Sequence, residues 1–366
     1  MKRWNKLNLI IRYGADDSVL AEAALSPNLF LCRVISQYKG QYKIATESGE
    51  CLAEVSGKFR YEAADPSQFP AVGDFVMADR AESSTGNAMI HRVLPRKSVF
   101  ERTAAANEHQ SQIIAANIDI VFICMSLNNN YNLSRLERYL SVAWSSGATP
   151  VAVLTKADLC ENLPGVLSEI MKIAPGTDVI ATSRSDPDSF EKLLPYLRPN
   201  RTAAFIGSSG VGKTTLINCL AGENLLVTSQ TRSDDKGRHT TTRREMILLP
   251  QGGIVIDTPG LRELGVESAD LSRSFAEIDA LAEHCRFRDC THTNEPGCAV
   301  LKALETGELT LRRLENYRKL RREAGYDGLS SRQIETQKLN AMFETVGGMK
   351  NGRKFIRQND KRKGGF

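Results

Sequence analysis

No stretch of this 366-residue chain is long and apolar enough to cross a bilayer. The longest apolar runs, such as Ile120–Met125, fall far short of the ~20 residues a membrane helix needs. The opening Met1–Arg12 carries Lys2 and Arg3, but its apolar stretch Leu7–Ile11 is interrupted by Asn8 and stopped by Arg12, too short for a signal peptide. A soluble, cytoplasmic protein with no membrane partner is expected. Eight cysteines are few for a disulfide scaffold of this length, and three of them crowd into residues 285–298, a spacing that in a reducing compartment favours metal. Internal repeats are absent. Net charge is also missing from the body of the chain. Residues 349–366 hold seven Lys/Arg against Asp360, which is +6, so the other 348 residues sum to −1 within a total of +5. The excess belongs to a tail with three glycines and no apolar period, expected to be disordered when free.

What is present suits folded domains. Apolar residues at 41% and charged residues at 25% can build buried cores, and the length allows two or three domains of ~150 residues. Residues 1–27 show no strong period and read as a peripheral extension. Short β-prone segments then follow one another, Leu29–Ser36, Gln41–Ala45, Cys51–Ser56, Asp74–Ala78 and Met89–Leu94, split by glycines and prolines. Five short strands predict a small barrel of the OB type. After about Thr103 strands alternate with helices: strands at Ile118–Met125, Pro150–Leu154, Asp178–Thr182 and Thr202–Ile206, helices at Ser134–Ser146, Gly165–Ile173, Ser189–Leu197 and Lys213–Leu220. That alternation implies a parallel sheet covered on both faces. Arg244–Leu249 and Gly253–Asp257 add a hairpin-like pair, and beyond Leu261 the chain is mostly helical, ending in the charged helix Leu309–Ala324.

Gly207-Ser208-Ser209-Gly210-Val211-Gly212-Lys213-Thr214-Thr215 matches G-x-x-x-x-G-K-[ST] between an apolar strand and a helix, the context this motif requires. Backbone N–H groups and the helix N-terminus cradle phosphates, Lys213 neutralises the β/γ-phosphates, and the Thr214 hydroxyl ligates Mg²⁺. Thr155-Lys156-Ala157-Asp158 follows another strand. Guanine presents two donors, N1–H and the 2-amino group, that the single carboxylate of Asp158 accepts together, while Lys156 lays its stem over the ring. A buried carboxylate left unpaired by adenine makes such a site select GTP and argues against an ATP-using kinase or nucleic-acid ATPase. Asp257-Thr258-Pro259-Gly260 fits D-x-x-G at a strand end: Asp257 holds Mg²⁺ through a water and the Gly260 N–H senses the γ-phosphate. One of Thr240, Thr241 and Thr242, in the polar loop between, is expected to close over Mg²⁺. Leu261 occupies the place where Ras-like enzymes carry the water-orienting Gln, so intrinsic hydrolysis is expected to be slow; His239 is the best candidate for the missing group, and Arg238 a weaker one.

The motif order is unusual. Asp158 precedes Lys213, whereas an ordinary GTPase puts its phosphate loop first, so the sheet is expected to be circularly permuted, with D-x-x-G running straight into the C-terminal region. There, Cys285-x4-Cys290-x-His292-x5-Cys298 supplies three thiolates and an imidazole, a complete tetrahedral set for one structural Zn²⁺. His284 is a competitor that breaks the compact spacing. Cys32, Cys51, Cys124, Cys160 and Cys219 read mainly as small core residues.

Taken together the chain resembles the ribosome small-subunit-dependent GTPase A (RsgA) family over about residues 28–325, also through Ala53-Glu54-Val55-Ser56-Gly57-Lys58-Phe59-Arg60 and Pro95-Arg96-Lys97-Ser98. The resemblance implies GTP hydrolysis stimulated by the small ribosomal subunit, late maturation of that subunit with release of the factor, rRNA contacts through the OB and zinc domains, and a catalytic role at the position of His239. Thr155, where Asn is usual, and Ser183-Arg184, where a Ser-Ala pair often contacts guanine, depart from the pattern. The expected organisation is an N-terminal extension (1–27), an OB-like RNA-binding domain (28–102), a circularly permuted P-loop α/β GTPase domain (103–264), a helical zinc-binding domain (265–330) and a basic tail (331–366). A monomer is expected, with GTP/GDP and the small subunit as partners. Arg312, Arg313, Arg318, Lys319, Arg321 and Arg322 offer a further phosphate-binding surface. The alternative is a GTP-dependent RNA-binding switch whose hydrolysis is incidental.

Overall fold

The computed structural model describes residues 8–38, 40–82, 86–103, 111–128, 131–222, 244–257 and 271–325. Five strands near the N-terminus, β1 (Phe30–Gln37), β2 (Tyr42–Ala45), β3 (Glu50–Val55), β4 (Phe75–Ala78) and β5 (Ala88–Val93), run in the order β1-β2-β3-β5-β4. A β1–β4 pairing closes the barrel, and β3–β5 is its parallel pair. The OB topology expected from five short strands is thus present. Alternation works as it should on β3, where Cys51, Ala53 and Val55 are buried and Glu50 and Leu52 exposed. On β1 it fails, because residues 32–36 are all buried: one face fills the barrel with Cys32 and Val34, while Ile35 joins the core of the next domain. Upstream, the short helices α1 (Leu9–Arg12) and α2 (Asp17–Ala24) bury Ile10 and Val19, with Ala15 between them, against Phe75, Met77 and Leu94, and α3 (Gly57–Glu62) follows β3. Asp16 caps α2 by accepting the Val19 N–H at 3.1 Å.

A hairpin of β6 (Val99–Thr103) and β7 (Ser111–Ala116), not anticipated from the sequence, leads into the second domain. That domain is a sheet in the order β10-β9-β8-β11-β13-β12, with β8 (Ile120–Ser126), β9 (Thr149–Thr155), β10 (Asp178–Ala181), β11 (Thr202–Ile206) and β13 (Ile254–Asp257) parallel and β12 (Arg244–Leu248) antiparallel. Burial on both faces explains why its strands read as continuous apolar runs. The helices between them are α4 (Leu133–Ser146), α5 (Leu163–Ile173) and α6 (Lys213–Ala221). The helix expected over Ser189–Leu197 is instead a 3₁₀ run, Pro187–Tyr196, and it contains Pro195, which has no N–H for an α-helical bond. Pairing of Ser36 with Glu245 and Gln37 with Arg244 joins barrel and sheet edge to edge. Helices α7 (Ala276–Ala282), α8 (Ala299–Glu305) and α9 (Leu311–Ala324) follow, and Phe275, Ile278, Leu314, Tyr317 and Leu320 share one core with α4.

Candidate nucleotide site and metal centre

The carboxyl ends of β8, β9, β11 and β13 lie along one edge of the sheet, the position where open α/β sheets bind ligands. Gly207 leaves β11 at φ +145°, and a Cβ there would lie 2.3 Å from the Cys124 carbonyl oxygen on β8, so no larger residue fits. Gly210 and Gly212 also take positive φ, turning the loop onto the start of α6. The Lys213 ammonium folds over this loop and donates to the carbonyls of Gly207 (2.6 Å) and Ser208 (2.7 Å). Thr214 and Thr215 begin the same helix, half-buried. Beneath the loop, burial pushes the Cys124 thiol up to about 12, against an opposing pull from Lys213, so it is a neutral packing group.

Residues 155–158 close the other side of the loop. The Thr155 hydroxyl donates to the Val211 carbonyl at 2.5 Å, and the Lys156 ammonium to that of Gly210 at 3.1 Å. Lys156 itself sits in the left-handed region at φ +56°, which turns the chain into the 3₁₀ segment Ala157–Leu159. Asp158 is exposed and its Oδ1 accepts the Ser183 hydroxyl, which also lies 2.7 Å from the Ser185 hydroxyl. The loop after β10 is therefore built around Asp158. Asp257 ends β13, one residue beyond Ile256, which pairs with Ala204 of β11. Arg238, His239, Thr240, Thr241, Thr242, Gly260 and Leu261, with the tail 331–366, lie outside the described residues.

Sequence reasoning missed two arginines. Arg135 on α4 donates to the Ser208 hydroxyl at 3.2 Å. Arg33, only 1% exposed, spans four parts of the chain: Nε to the Gly73 carbonyl (3.2 Å), Nη1 to the Tyr13 carbonyl, and Nη2 to the Asn117 carbonyl (3.2 Å) and the Thr202 hydroxyl (3.0 Å). Burial lowers its pKa to about 10, partly offset by Asp119 and Asp74, leaving it cationic at neutral pH. A charged residue inside the apolar run Leu31–Ile35 is the only signal the sequence offered.

In the C-terminal region Cys285, Cys290, His292 and Cys298 bring their ligand atoms within 4.8 Å of one another. Cys285 Sγ lies 3.8 Å from Cys298 Sγ, and His292 Nδ1 lies 3.6 and 3.5 Å from those two sulfurs. A tetrahedral Zn²⁺ with Zn–S of ~2.3 Å and Zn–N of ~2.0–2.1 Å requires edges of about 3.8 and 3.6 Å, which the three distances among Cys285, His292 and Cys298 match, and Cys290 supplies a fourth ligand of the right kind. Burial, reinforced by Arg321 and Arg318 against Glu295 and Asp279, holds the His292 imidazole below its usual pKa, in the neutral form that ligates. The turn is braced by the Glu295 carboxylate, which accepts the N–H groups of Thr291 (2.7 Å), Thr293 (2.7 Å) and Asn294 (3.1 Å) and the Thr291 hydroxyl. His284 points elsewhere, its Nδ1 2.9 Å from the Ala280 carbonyl.

The basic helix is partly a structural element. Glu137 of α4, fully buried, pairs with Arg312 (3.1 Å) and Arg313 (2.9 Å) and accepts the Asn316 amide. Arg313 also pairs with Glu277 at 2.7 Å and stacks 4.2 Å from the Phe275 ring, while Arg318 donates to the His292 carbonyl. Among the described residues expected to seek phosphate, only Lys319, Arg321 and Arg322 are exposed. Likewise Arg96 holds the buried Asp74 at 2.8 Å and Ser98 bonds to Ile118, so Pro95-Arg96-Lys97-Ser98 is a junction between barrel and sheet.

A model of the RsgA GTPase family matches residues 93–267. The Small ribosomal subunit biogenesis GTPase RsgA 2 of Lactiplantibacillus plantarum is 50% identical over 335 residues, 91% of this chain and 94% of that protein. RsgA 2 of Listeria monocytogenes is 48% identical over 297 residues, covering 80% and 83%. The crystal structure of YjeQ from Thermotoga maritima superposes with a TM-score of 0.59 at 27% identity, covering 81% of this chain and 98% of that one. YloQ, described as a circularly permuted GTPase, gives 0.57 at 26%, covering 81% and 95%. A T-K-x-D loop that precedes the G-x-x-x-x-G-K-[ST] loop in the chain yet closes over it in space is what permutation of a GTPase sheet produces, and at 50% identity over 335 residues with an RsgA protein the chain belongs to the RsgA GTPase family.

Proposed function

We propose that this protein is a cytoplasmic, monomeric GTP phosphohydrolase that binds the small ribosomal subunit and its rRNA, is stimulated by it, and couples hydrolysis to late maturation of the subunit and to its own release. The observation that carries the reading is the closure of the Thr155–Asp158 loop onto the Gly207–Thr215 loop through Thr155–Val211 and Lys156–Gly210. One loop selects guanine and the other binds phosphates. Gly207, Ser208, Ser209, Gly210, Val211 and Gly212 present the backbone, and Lys213 neutralises the β/γ oxygens. Thr214 and Asp257 would hold Mg²⁺, which supplies charge neutralisation across the phosphates. His239 is assigned to orient the attacking water, because Leu261 has no polar group to do so. Cys285, Cys290, His292 and Cys298 hold one structural Zn²⁺ that fixes the domain from 265 to 330, and the basic tail adds further phosphate-seeking charge. The domain division given above is proposed with it. Names of the relatives, which are small ribosomal subunit biogenesis GTPases, support the partner.

Co-sedimentation tests this reading: with a non-hydrolysable GTP analogue the protein should pellet with small subunits, and with GDP it should stay in solution. Equal partitioning in both states would favour a factor that does not use hydrolysis for release. Because Leu261 predicts slow intrinsic turnover, a second reading keeps the GTP-dependent binding switch and makes hydrolysis incidental; His239→Ala protein that releases normally after losing stimulated turnover would select it.

A further inference from the structure

Helix α4 touches the phosphate loop and the C-terminal helix within four consecutive residues. Arg135, in its first turn, donates to the Ser208 hydroxyl at 3.2 Å. Glu137 is buried under α9, paired with Arg312 and Arg313, and Arg138 pairs with Glu323 near the end of α9 at 2.5 Å. Ser208 is also held through its carbonyl, which accepts the Lys213 ammonium at 2.7 Å. These contacts differ in kind. A hydroxyl–guanidinium bond at the edge of a loop can be remade at small cost, but a buried carboxylate cannot leave its arginines without exposing an unpaired charge to a low-dielectric interior. One helical turn cannot stretch between residues 135 and 138, because its backbone bonds fix it. A displacement of Ser208 that Arg135 follows is therefore delivered to α9 through Glu137 and Arg138 as a rigid shift.

We propose that α4 couples occupancy of the phosphate loop to the seating of α9, with Arg135 as the positioning residue that reads Ser208 and Glu137 as the anchor. The proposal rests on the GTP-binding reading above. Phosphates draw in the Lys213 ammonium and the loop amides, Ser208 moves with them, and the α9 surface that carries Lys319, Arg321 and Arg322 is repositioned. Linkage makes the effect reciprocal: a partner that holds α9 changes nucleotide affinity by the same factor. The connection is additional to the covalent one through residues 258–270, since it runs from the loop's second residue rather than from Asp257.

Amide hydrogen exchange of α9 in the full chain tests this, without nucleotide and saturated with GDP or a non-hydrolysable GTP analogue, with binding followed separately by fluorescence titration. The wild-type protein is expected to change α9 exchange by about tenfold between the empty and analogue-bound states. Arg135→Ala should lose that response while its nucleotide-free α9 exchange matches wild type, and Ser208→Ala should reproduce the loss. Should Arg135→Ala fail to fold, Ser208→Ala carries the test alone. A wild-type protein that binds nucleotide with no α9 response, or variants that keep the full response, overturns the coupling. Altered α9 exchange in nucleotide-free Arg135→Ala overturns it too, since that is the mark of a merely structural contact. A wild-type protein that binds no guanine nucleotide overturns the GTPase reading itself, and the coupling with it.

Discussion

Thr155 ties two loops together: its hydroxyl donates to the buried Val211 carbonyl at 2.5 Å and pins the 155–158 loop to the 207–215 loop. Thr155→Val keeps the shape and removes only that donor, leaving the carbonyl unpaired at a cost of ~1–3 kcal/mol. GTP affinity measured by titration should fall by roughly tenfold, and Thr155→Asn should restore it; an unchanged affinity in Thr155→Val would show that the hydroxyl does not position the loop. Residues of this kind were legible because they fall in short motifs whose spacing is set by a ligand. Arg33 and Arg135 were not, since their partners lie 20 to 169 and 73 residues away in the chain, and nothing local marks a guanidinium that works through folding alone.

Among elements, those with a strong period or an apolar run were legible to within a residue or two, as at β11 (Thr202–Ile206). The β6–β7 hairpin escaped because Glu101, Arg102 and Thr103 interrupt one strand and two alanines end the other, giving neither alternation nor β-branched density. The charge on α9 misled in a different way. Arg312, Arg313 and Arg318 read as a surface, yet Arg313 is buried, Arg312 and Arg318 are half-buried, and all three are engaged by Glu137 or the His292 carbonyl; a carboxylate on α4, 175 residues earlier than Arg312, cannot be paired with them by inspection of the sequence. The metal loop and α9 therefore stand as one unit, joined by Arg318. One Zn²⁺ per chain is expected by mass spectrometry, and chelation should lower the melting temperature of the C-terminal region, because ligand-set binding energy is folding energy. An unchanged melting profile after confirmed metal removal would contradict a structural centre.

Barrel and GTPase sheet are joined where the Ser36–Glu245 and Gln37–Arg244 pairings meet the Arg33 fork. Arg33 reaches Thr202, the first residue of the strand that leads into the phosphate loop, so barrel orientation and nucleotide site are fixed together. Arg33→Lys keeps the charge but has no planar fork for four acceptors. Calorimetry should show the barrel melting separately from the GTPase domain in that variant, against one cooperative transition in the wild type; a single transition in both would mean the edge pairing suffices. Because Leu261 brings no polar group to orient water, catalysis is expected to be completed on the small subunit rather than in the isolated protein. GTP turnover measured with no addition, with small subunits and with large subunits tests that claim most directly. A slow basal rate that rises strongly with small subunits alone is the predicted result, and equal rates in all three mixtures would contradict it.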